Sequence, residues 1–166
     1  SASPALDRHE TLVVGVIVER RKAKSAWQDH SWQAVEVVTA IPPLAAWSVL
    51  REENGVTRFF AGVFALELHT RETVSYRENL VADTPSIYVV LRPDTNAPHG
   101  MRLELATPSP ADAEAYLVSG DDIVDKVRMP AGILAWLAAY VAAFHVEEKF
   151  DKRRRGRDKP GSGKLQ

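Results

Sequence analysis

The alternation of apolar and polar positions divides the chain into short segments. TLVVGVIVER (11–20) is β-branched, apolar nearly throughout and of strand length, the pattern of a strand buried on both faces. A polar connection ending in QDHS follows, and WQAVEVV (32–38) predicts a second strand, broken by Ile41-Pro42-Pro43. The apolar segments 47–52 and 56–69 flank Asn54-Gly55, a strong short-range hairpin signal. The second arm is long and is expected to bulge at Gly62. RETVSYRENLVAD (71–83) switches to helical spacing, with Tyr76 and Leu80 four apart on one face. Pro85 then leads into SIYVVLR (86–92), a further buried strand, and MRLELAT (101–107) alternates as a half-buried one. In SPADAEAYLVSG (109–120) a serine cap, a first-turn proline, early acids and a closing glycine predict a short helix. DDIVDKVRM reads as a last strand and MPAGILAWLAAYVAAFHVEE (129–148) as a terminal helix. The order predicts an α+β fold, a mainly antiparallel sheet or small barrel with one inserted helix, one short helix and a C-terminal helix.

Composition changes this picture little, but charge divides it. The 166 residues fit one domain at 11–148. It lies between a flexible N-terminus at 1–10 and a basic, flexible tail at 149–166. Eight of the 21 basic residues lie from Lys149 onward, against only Asp151 and Asp158 among the acids. An acidic body with a basic end is not the footprint of a nucleic-acid-binding face, so the tail is expected to contact an acidic surface instead. Residues 129–146 carry no Asp, Glu, Lys or Arg over eighteen positions. Alanine, Pro130 and Gly132 dilute that run. Ile133, Trp136, Leu137, Tyr140, Val141 and Phe144 form one broad stripe, so a packed helix is expected and no membrane span. The absence of cysteine removes thiolate metal sites, disulfides and cysteine nucleophiles, and fits a reducing compartment. PGSGK (160–164) lacks the preceding glycine and the following Ser or Thr of a phosphate-binding loop.

Chemistry concentrates in two places. AWQDHSWQ (26–33) holds Trp27, Asp29, His30 and Trp32. In the strand ending ELH, Glu67 and His69 are two apart and share a face. Glu72 and Tyr76 are four apart on the following helix, with Asn79 one turn on, so these five are expected at a strand–helix corner. If the two places meet, Asp29, His30, Glu67, His69 and Glu72 would offer nitrogen and oxygen ligands to a divalent metal, or an acid–base pair. Such clusters also arise as plain structure: a strand-end histidine bonds a nearby carboxylate, and Trp32 packs inward. A docking surface anchored by Trp27 and Trp32 is the third reading and the preferred one. A pterin- or nucleotide-binding barrel, with the tryptophans stacking on the ligand, ranks last. No Gly-rich loop follows the first strand, where Gly15 stands alone. No catalytic residue is singled out and no cofactor is expected.

Several segments together resemble a bacterial family, Domain of Unknown Function 3305. They are VIVERR (16–21), W-Q-D-H-x-W (27–32), L-E-L-H-x-x-E-T-x-x-Y (66–76), S-I-Y-V-V-L-R (86–92) and H-V-E-E-x-F ending at Phe150. The likeness covers about residues 11–155. Members are sometimes labelled molybdopterin-guanine dinucleotide biosynthesis proteins and are encoded near molybdenum-dependent formate dehydrogenases. The resemblance implies a small cytoplasmic accessory protein, non-enzymatic, whose partner is a formate dehydrogenase subunit or a maturation protein. The alternative it leaves open is a metal-dependent or molybdopterin-cofactor-processing protein using His30, Glu67, His69 and Glu72, with a divalent metal or a molybdopterin nucleotide as ligand.

Overall fold

The computed structural model describes residues 8–22 and 30–158, with side chains described as far as His145. β1 (Glu10–Lys22) lies between β2 (His30–Val38) and β4 (Val56–Leu68), and β3 (Ser48–Glu53) pairs with the first half of β4. All pairings are antiparallel, in the order β2-β1-β4-β3. Asn54 and Gly55 turn the β3–β4 hairpin with φ of 53° and 79°, the left-handed backbone that a tight hairpin turn requires. A second antiparallel sheet places β5 (Ser86–Pro93) between β6 (Met101–Thr107) and β7 (Ile123–Arg128). The two sheets form separate ladders, so of the two forms expected the open sheet is found and the closed barrel is not. They meet edge to edge: the Ala34 N–H of β2 donates to the Asp125 carboxylate of β7 at 2.8 Å.

The helix expected at 71–83 is shorter. A single 3-10 turn (Thr70–Glu72) leads into α1 (Thr73–Leu80). No side chain caps α1 at Glu72, and Pro85 disfavours helical backbone at Thr84. α2 (Pro110–Leu117) begins as its sequence predicts, with Ser109 Oγ accepting from the Asp112 N–H at 3.2 Å and Pro110 in the first turn. α3 (Ala131–Asp158) has its backbone running past residue 148 into the basic stretch expected as a flexible tail. Its predicted stripe faces inward: Ile133 and Leu137 are fully buried and Tyr140 is nearly so. Full burial of each aliphatic side chain contributes about 1.5–3 kcal/mol. Among the described residues no helix is long and apolar enough to cross a membrane.

One irregularity sets the orientation of half a strand. Val16 faces Gly62 and Ile17 faces Phe60, which leaves Ala61 as an extra residue in β4. Before this bulge Phe59 and Ala61 point into the core; after it Leu66 and Leu68 do. The inward set thus changes from odd to even positions. Gly62 sits at φ 126°, and a Cβ there would lie 3.2 Å from the Ala46 Cβ. Gly62→Ala is therefore expected to cost about 1–3 kcal/mol, from backbone strain and crowding together. Urea unfolding should show a lower midpoint at unchanged slope.

Candidate functional site

Beyond the bulge, the positions that do not enter the core turn outward, and these include Glu67 and, just past the strand end, His69. The ladder Thr11↔Glu67 and Glu10↔Leu68 brings the start of β1 alongside. One step further, His9 lies across from His69. The two imidazoles stack with centroids 4.6 Å apart and planes 11° from parallel. Glu67 Oε1 lies 3.3 Å from His9 Nε2 and 3.5 Å from His69 Nε2. One donor atom from each of the three residues falls within 4.8 Å of the others.

Two buried tyrosines hold the backbone behind these side chains. The Tyr76 hydroxyl accepts from the His69 N–H at 3.0 Å and donates to the Glu67 carbonyl at 3.4 Å. Burial raises the phenol well above its ordinary pKa, so it stays neutral and keeps its proton. The Tyr140 hydroxyl of α3 donates to the Arg8 carbonyl, and Trp136 Nε1 donates to Glu10 at 3.0 Å. His9 is therefore flanked by two anchored residues.

Beside the triad a groove of about 230 Å³ is lined by Phe64, Glu67, His69, Thr107 and Asp112, among others. Glu72 accepts from Ser109 Oγ at 3.1 Å, and Ser109 also contacts Ser75 at 2.9 Å. The Asp112 carboxyl, bonded by Thr107 Oγ1 at 3.4 Å, is raised above the usual carboxylate range. Partial burial is the main cause, and the Glu72 charge adds to it.

The sequence-predicted residues separate into groups. Glu67 and His69 meet at the strand–helix corner, whereas the Glu72 carboxylate turns away to Ser109 and does not join their donor set. Tyr76 and Asn79 lie beneath the corner and are 1% and 2% exposed. Asn79 is a backbone clamp: its side chain donates to the carbonyls of Ser86 and Pro108 at 2.7 Å each, and accepts from the Ser86 N–H at 2.9 Å. His30 does not join the corner. It pairs with Lys22 at the far end of β1, whereas Glu10 at the near end pairs with Leu68. At ~3.3 Å per residue those ends are on the order of 35–40 Å apart, which rules out one metal between His30 and His69. Trp32 is half-buried, stacked on Phe59 at 5.8 Å and edge-on to Trp47 at 6.0 Å. The Arg20 guanidinium lies 5.7 Å from the Trp32 ring centre and 5.2 Å from that of Phe59. Trp27 and Asp29 lie outside the described residues.

Sequence reasoning missed His9 and Asp112. His9 precedes the first strand with no telling spacing, and only knowledge that β1 pairs with β4 would have placed it.

A family model described as "Protein of unknown function (DUF3305)" matches residues 13–154. No curated protein and no solved structure matches the chain.

Proposed function

Because the chain belongs to that family of proteins of unknown function, we propose that it is a non-enzymatic accessory or assembly factor of molybdenum-dependent formate dehydrogenase or its maturation, acting in the cytoplasm. One observation supports a docking role. The outer face of β1 and β4 carries Val13 and Val63, 47% and 51% exposed, with Ala65 between Val63 and Glu67. An apolar centre rimmed by His9, Glu67 and His69 has the composition of a protein contact surface. The docking face is thus centred on the strand–helix corner and its sheet, not on Trp32, whose ring is engaged within the fold. The basic end of the chain would add a secondary contact to an acidic surface.

Affinity capture from the native host tests this. Wild-type protein is expected to recover a dehydrogenase subunit or maturation protein, identified by mass spectrometry, and Val13→Asp/Val63→Asp to lose it. Recovery of neither by the wild type would end this reading.

A further inference from the structure

We propose that His9, Glu67 and His69 form a surface-accessible binding site for a divalent first-row transition ion of the zinc class. The donors are two imidazoles and one carboxylate. That set suits borderline ions such as zinc, whereas magnesium and calcium favour sites built mainly of oxygen. The spacing also fits. Ligands of a tetrahedral zinc with bonds of about 2.0–2.1 Å are ~3.3–3.4 Å apart. The two Glu67–histidine separations are 3.3 and 3.5 Å, and the whole set lies within 4.8 Å. The imidazole lone pairs lie in the ring planes, so the stacked rings must turn out of parallel for both Nε2 atoms to converge on one ion.

The site is built, not merely crowded. Glu67 lies near the end of β4 and His69 just past it, and Tyr76 ties the backbone at both residues. His9 immediately precedes β1, with the Arg8 carbonyl held by Tyr140 on one side and the Glu10 carboxylate by Trp136 on the other. Fixing donors in this way reduces the ordering cost of binding. The parallel imidazoles direct their Nε2 atoms toward the same carboxylate oxygen. Three protein donors leave coordination positions open, and the adjoining groove with Asp112 and Thr107 lies beside them. The site does not depend on the accessory role proposed above; a chain that binds zinc and captures no partner would separate the two.

Calorimetric titration of the full chain, stripped with a chelator and then given zinc chloride, provides the test. One equivalent is expected to bind at pH 7.5 and to weaken sharply at pH 5, where imidazole protonation competes. His9→Ala and His69→Ala should each weaken binding at least tenfold, and Glu67→Gln should weaken it while preserving side-chain shape. His99→Ala, remote from the corner, should bind as wild type does. Circular dichroism would confirm that each variant is folded. Absence of binding by the wild type, binding unchanged in both His9→Ala and His69→Ala, or magnesium binding as tight as zinc would each overturn the proposal.

Discussion

Asn79→Ala is expected to destabilise the protein by about 3–5 kcal/mol, because three buried backbone groups lose their partner at once and each such loss costs about 1–3 kcal/mol. The amide bridges α1 to the Ser86 N–H and carbonyl at the start of β5, and to the Pro108 carbonyl just before α2. Asn79→Asp should be at least as harmful, since a carboxylate would present oxygen to two carbonyl oxygens. Urea unfolding followed by tryptophan fluorescence reads both. A loss below about 1 kcal/mol would mean that water re-pairs the freed groups and that the clamp is dispensable.

Phe59→Ala should be comparably severe, at about 3–5 kcal/mol for a fully buried aromatic ring. Phe59 is 0% exposed and lies between Trp32 and Trp47, with His99 4.5 Å from its ring centre. Its removal would open a cavity at the junction of β1, β2, β4 and the turn carrying His99. Thermal unfolding should show the loss, and near-UV circular dichroism should report the two tryptophans losing their fixed surroundings. Trp32→Ala should cost less, because that ring is only half-buried. If Trp32→Ala were the more damaging of the two, Phe59 would not be the centre of the cluster.

Much of the architecture was legible because local signals agreed with the tertiary outcome. Asn54-Gly55 placed the hairpin, Ser109-Pro110 placed the start of α2, and the stripe from Ile133 to Phe144 found its buried side. The bulge at Gly62 was visible as a glycine in a long strand. Failures came where a residue's role depends on which strands become neighbours. Asn79 reads as a polar helix residue, and only the approach of Ser86 and Pro108 makes it internal. His30 and His69 look alike in sequence, yet they occupy opposite ends of β1. His9 gains its partners through a pairing partner nearly sixty positions away in the chain. Spacing rules see along one element; they carry no information about what lies across the ladder.

The extra residue in β4 has a consequence for variation in length. A deletion between Phe60 and Val63 would ordinarily reverse every side chain beyond it, because side-chain direction in a strand alternates with each residue. Here Ala61 is a spare position: with one residue fewer, Ile17↔Phe60 and Val16↔Gly62 would simply follow one another in an unbroken ladder. Leu66 and Leu68 would stay in the core, and Glu67 and His69 outside it. A second deletion would find no spare residue to absorb it and would exchange the two faces. The bulge thus gives this strand a tolerance of one residue in length, and no more, before the donor atoms are lost from the surface.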